Sequence, residues 1–123
     1  MSLVATLHGE IIGHVLFSPV QVNQSRGLGV APVAVLPGRQ RRGIGRALID
    51  AGIEACRSAG YDYIVVLGDP RYYGRFGLTP AVSAGLSNEY AADAHFMVLE
   101  LRPGALAGVR GVVRYCEEFS QLG

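Results

Sequence analysis

The 123-residue sequence is 50% apolar and 17% charged, with a formal net charge of +1, a balance that suits one packed domain over 1–123 rather than a disordered chain. So small a charge exerts no global pull on nucleic acid or an acidic membrane, and any anion site must be a local cluster. All 11 basic residues are arginine, which excludes a Walker phosphate loop, Schiff-base chemistry and serine–lysine hydrolysis.

No apolar run is long enough to cross a bilayer and no charged-then-apolar leader is visible, so a cytoplasmic protein is expected. Leu3 to Leu7 and Ile11 to Val22 read as a hairpin around His8-Gly9-Glu10. Asn23 to Gly27 reads as a polar turn. Gly29 to Leu36 is a further strand, in which Pro32 predicts an edge or a bulge. A helix follows, opening at Gln40-Arg41-Arg42-Gly43-Ile44-Gly45 and ending at Gly60. Its expected apolar face carries Ile44, Ala47, Leu48, Ala51, Ala55 and Ala59, with Cys56 at the edge as a buried thiol. Tyr61 to Leu67 is too apolar for one face to meet water, so it is expected as a strand covered on both sides. The strand–helix–strand order makes its pairing parallel.

Gly68-Asp69-Pro70 opens a short helix over Arg71 to Phe76, closed by Gly77. Thr79 to Asp93 reads as a loop, with Glu89 and Asp93 its charged residues. His95 to Leu101 and Val109 to Tyr115 read as a last pair of strands around Arg102-Pro103-Gly104. The expected class is α/β with a mixed sheet, mostly antiparallel around one central parallel pair. Cys56 and Cys116 lack metal-ligand spacing and are expected to be reduced. His8, Glu10 and His14 flank a turn, and no metal site is expected.

Arg39 to Arg46 holds four arginines, two glycines and no carboxylate. The first amides of a helix have no internal partners, the helix dipole adds positive charge there, and glycines let a phosphate reach the backbone. A diphosphate is the natural guest. A dinucleotide fingerprint fails because Leu48 stands where its third glycine belongs.

Two stretches together resemble the GNAT superfamily of N-acetyltransferases. Val33-Ala34-Val35-Leu36-Pro37-Gly38-Arg39-Gln40-Arg41-Arg42-Gly43-Ile44-Gly45-Arg46 is similar to the family's Gln/Arg-x-x-Gly-x-Gly/Ala motif after a strand. Tyr72-Tyr73-Gly74-Arg75-Phe76-Gly77 is similar to its aromatic-Tyr-x-Arg/Lys-x-Gly-Phe motif. The resemblance implies a GNAT-like fold and acetyl transfer from acetyl-CoA to a primary amine by direct attack. Gln40, Arg41, Arg42, Gly43, Ile44, Gly45 and Arg46 would hold the pyrophosphate. Val33, Ala34 and Val35 would pair with the pantetheine arm, and an amide near Val33 or Val35 would bind the thioester carbonyl. Tyr73 would protonate the departing thiolate, while Tyr72 and Phe76 would pack.

The sequence departs from the family in two ways. Relatives usually begin with a strand and two helices that wall the acceptor site, whereas this sequence starts at what would be their second strand. A strand near Leu3 to Leu7 would then expose an edge suited to a homodimer. No carboxylate stands in the strand before the helix, so the general base is unassigned. Asp69 reads as a helix cap, with Glu10 and His14 as other candidates. The alternative is an acyl-CoA-binding module that transfers nothing. Neither a nucleic acid nor a membrane is expected as partner.

Overall fold

The computed structural model describes residues 2–23, 25–30, 34–40, 43–88 and 95–115. The sequence opens as expected, with β1 (Ser2–Leu7) antiparallel to β2 (Glu10–Val22). His8 and Gly9 both take positive φ, 52° and 83°. Two left-handed residues give a turn whose twist matches that of the strands it joins. Among the described residues β1 pairs with β2 alone, along one edge.

The polar turn is shorter than its composition suggests. β3 (Ser25–Val30) already pairs with β2, and its last four residues run parallel to β5 (Tyr63–Leu67). Long-range bonds hold this register: Arg26 N donates to Asp62 Oδ2 at 3.1 Å, and Asp62 N donates to Arg26 O at 2.9 Å. The expected strand Gly29 to Leu36 is divided: Gly29 and Val30 end β3 and join the parallel pair, whereas Ala34 and Val35 pair with β2. The parallel pairing runs from Gly27–Tyr63 to Val30–Val66. Pro32 lies outside the described residues. Further along, β4 (Ala34–Val35) pairs with Gly13 and His14 of β2 and, among the described residues, with no other strand.

β5 is covered on both sides, as its composition required. Ile64 and Val66 enter one core cluster, with Val15, Phe17 and Leu28, beneath the long helix. Tyr63 and Val65 enter a second, with Val20, Val22, Phe96 and Val98, on the opposite face. Each such aliphatic side chain contributes about 1.5–3 kcal/mol on burial.

The expected last pair of strands is not a pair. β8 (Phe96–Glu100) lies antiparallel to β5 and also meets β6 (Thr79–Pro80). β9 (Gly111–Tyr115) meets β2 and runs parallel to β7 (Leu86–Asn88). Thr79 to Asn88, expected as loop, therefore holds two short strands around a 3-10 turn at Ala81–Ala84, and a second parallel pair, β9 with β7, stands at the end of the sheet, separated from the central one by β2. Such short segments carry no period of their own and are ordered by their partners. Glu89, Asp93 and Cys116 lie outside the described residues.

Helix α1 (Ile44–Ser58) buries Leu48, Ile49, Gly52, Ile53 and Cys56. The buried face is thus rotated from the alanine-rich stripe expected, and Ala47 and Ala51 are exposed. Burial of two isoleucines outweighs that of alanines, and Gly52 lets the helix sit directly on the ring of Phe17. A Cβ at Gly52 would stand 2.1 Å from Phe17 Cζ. Gly52→Ala gains about 1 kcal/mol of helix propensity. Overpacking a ring that is 1% exposed costs about 1–3 kcal/mol. The expected net effect is a melting temperature lower by up to about 8 °C, at roughly 4 °C per kcal/mol; a higher value in a thermal scan would contradict this packing.

Cys56 lies at the centre of this face rather than its edge, fully buried, and burial pushes its thiol up to about 11. Iodoacetamide at neutral pH is expected to leave Cys56 unlabelled in the native protein and to label it in denaturant, as read by peptide mass spectrometry.

Candidate active site

The helix begins at Ile44 rather than at Gln40, and Gly43 is its cap with φ 78°. A left-handed cap of this kind is natural to glycine and strained for other residues. The first intrahelical bond runs from Ala47 N to Gly43 O at 3.0 Å. The amides of Ile44, Gly45 and Arg46 therefore have no partner within the helix, and no side chain caps them. They open into a cavity of about 640 Å³.

β4 forms one wall of this cavity. Leu36 N donates to Ile12 O at 2.8 Å. Successive residues of a strand alternate in direction, so Val35 turns its amide and carbonyl away from β2. The carbonyl is taken by Gln40 Nε2 at 3.1 Å. The Gln40 side chain thus ties the segment before α1 to the strand, while the Val35 N–H points away from β2.

The opposite wall comes from α2 (Pro70–Tyr73) and the 3-10 turn Gly74–Phe76. Asp69 caps α2, its Oδ1 accepting from Arg71 N at 2.9 Å. Its carboxyl is held below the ordinary value first by that backbone bond and then by the Arg71 side chain. Committed in this way, Asp69 orients the helix that carries Tyr73. The Tyr73 ring lies on Gly68, where a Cβ would meet Tyr73 Cε2 at 2.3 Å. It also meets Tyr72 edge to face, with centroids 5.0 Å apart. Tyr73 is 8% exposed. Burial, and secondarily Tyr72, raises its phenol above the ordinary value, so the group keeps its proton through neutral pH.

Of the residues expected to hold a cofactor, Val35, Gln40, Gly43, Ile44, Gly45 and Arg46 line this cavity together with Tyr73. Ala34 pairs with His14 and is not among the lining residues. Val33, Arg41 and Arg42 lie outside the described residues. Arg39, Tyr72 and Arg75 also line the cavity; of these, Arg75 stood in the second sequence motif but carried no expected role. Among the described residues no three of His, Cys, Asp and Glu gather around a common point. No described helix is long and apolar enough to cross a membrane.

A mixed α/β sheet, a helix start without a side-chain cap and a buried tyrosine thus meet at one cavity, and the comparisons with known proteins place this arrangement among the acyltransferases. The acetyltransferase (GNAT) family model matches residues 1–77, and the chain belongs to that family. It is 38% identical to the uncharacterized N-acetyltransferase YhbS of Escherichia coli K12 over 126 residues, covering 99% of this chain and 75% of that protein. The crystal structure of E. coli YhbS in complex with CoA matches with a TM-score of 0.87 over 99% of this chain and 70% of that one. A GNAT family acetyltransferase from Brucella melitensis in complex with acetyl-CoA is 37% identical, with a TM-score of 0.73 over 96% of this chain and 67% of that one.

Proposed function

We propose that this protein transfers the acetyl group of acetyl-CoA to a primary amine by direct attack, with no acyl-enzyme intermediate. The observation that carries the reading is the convergence, in one cavity, of three unpartnered helix amides, the inward Val35 strand and a protonated Tyr73.

Each part has a separate task. The amides of Ile44, Gly45 and Arg46, with the helix dipole behind them, hold the pyrophosphate. The strand at Val35 aligns the pantetheine arm by main-chain bonding, and its N–H donates to the acetyl carbonyl oxygen as that oxygen gains negative charge. The amine nitrogen forms the new bond to the acetyl carbon. As the carbon–sulfur bond breaks, Tyr73 Oη gives its proton to sulfur, and the amine's displaced proton restores the phenol through solvent. A phenol is suited to this because its ordinary pKa of about 10 is close to that of an alkyl thiol.

Calorimetric titration with acetyl-CoA, followed by thiol release across a panel of primary amines, tests the proposal. Saturable binding with amine-dependent release is expected. Binding without release for any amine would instead favour a module that carries acyl-CoA and transfers nothing. No binding at all would overturn both.

A further inference from the structure

We propose that Arg75 binds the ribose 3′-phosphate of coenzyme A, making the cleft selective for the intact coenzyme over its 3′-dephospho form. The inference rests on the cleft being the acetyl-CoA site.

The argument begins with charge. A diphosphate seated on the amides of Ile44, Gly45 and Arg46 is already served by unpartnered donors and by the positive end of α1. Among the described residues three arginines line the same cavity besides: Arg39 before the helix, Arg46 within its first turn, and Arg75 after α2. No carboxylate is among the lining residues. Arg46 leans along its helix toward Asp50, at 3.9 Å. The cleft therefore holds more positive charge than a diphosphate on a helix start requires.

Coenzyme A carries one further anion, a phosphomonoester on the ribose, which is close to a dianion at neutral pH. Arg39 and Arg46 flank the diphosphate seat on the α1 side. Arg75 stands on the opposite wall, its guanidinium 5.7 Å from the centroid of the Tyr72 ring. A guanidinium resting on an aromatic face keeps its charge and loses little freedom on binding. Its planar fork matches phosphate oxygens in pairs. Among the described arginines of the cavity, this is the one that comes from outside the segment of the helix start, and it is the one assigned to the monoester.

Calorimetry with coenzyme A and with 3′-dephospho-coenzyme A would test this on the wild type, Arg75→Gln and Arg71→Gln. Arg71 is an exposed arginine on α2, four residues before Arg75 and paired with Asp69, and controls for loss of one positive charge nearby. The wild type is expected to prefer the intact coenzyme by about 10–100-fold, the range for charge-assisted hydrogen bonds. Arg75→Gln should bind the dephospho form as the wild type does and lose the preference, while Arg71→Gln keeps it. Equal weakening of both ligands by Arg75→Gln would assign Arg75 to the diphosphate and overturn the inference. So would a wild type with no preference, a result that needs no variant to fold. Failure of the wild type to bind either ligand would instead overturn the acetyl-CoA reading.

Discussion

Tyr73→Phe is expected to lower kcat for acetyl transfer by about 10²–10⁴-fold, the usual contribution of a positioned proton donor, while acetyl-CoA affinity changes by less than about twofold. The ring is the structural part of this residue. It lies against Gly68 and meets Tyr72 at 5.0 Å, and phenylalanine keeps both contacts. Only the Oη proton is lost. A parallel fall in binding would show that Tyr73 shapes the cleft rather than acting on the departing sulfur. The pH profile supplies an independent reading. Burial raises the Tyr73 phenol above its ordinary value, so the acid form is present at and well above neutral pH. Activity carried by it should decline only as pH rises through that raised value, and Tyr73→Phe should lack this alkaline limb. A limb retained in the variant would belong to another group.

Gly43→Glu carries the second large effect, on binding. It is expected to weaken acetyl-CoA by about 10²-fold or more, with Gly43→Ala as its control. Two penalties act at this position. Gly43 has φ 78°, so any side chain there costs about 1–2 kcal/mol of backbone strain, which both variants share and which appears in the melting temperature. The glutamate adds a negative charge beside the diphosphate seat. Two unit charges 4 Å apart repel by about 4 kcal/mol at an effective dielectric of 20, and partial solvent exposure reduces this to about 2–3 kcal/mol, or roughly 10²-fold. The space around a Cβ at Gly43 is open, with nothing within 4 Å, so Gly43→Ala should fold and retain most of its affinity. If Ala and Glu weaken binding equally, cap conformation decides the site and charge does not. If neither weakens it, the diphosphate does not sit at the start of α1.

Much of the site could be read from local sequence because its parts are local. Gly43-Ile44-Gly45 marks an uncapped helix start through the conformational freedom of glycine, and the arginines around it mark an anion. Asp69-Pro70 marks the start of α2, where an acid at the cap and a proline at the first helical position suit their places; the observed cap at Asp69 follows that pattern. Tyr73 was found through its motif rather than its surroundings. Its burial against Gly68 could not be read, because nothing in either residue type states that a ring will close on that backbone. That Arg75 lines the cavity was not expected, for a similar reason. It lies 29 residues from Arg46 in the chain, and only the packing of α2 across the cleft makes them neighbours in one cavity.

The sequence by itself determined the order strand, helix, strand, a parallel pairing across it, the coverage of β5 on both faces and the glycine-bearing segment at which α1 starts. These follow from period, composition and backbone conformation within a few residues, which act before any distant contact forms. Tertiary structure alone decided which face α1 buries, the early start of β3, the pairing of β8 with β5 and of β9 with β2, and the second cluster of side chains behind the sheet. Those outcomes depend on which surfaces meet. Ile49 and Ile53 bury more area than the alanines beside them, Asp62 holds Arg26 in register, and two- or three-residue strands such as β6 and β7 exist only because β8 and β9 offer them hydrogen bonds.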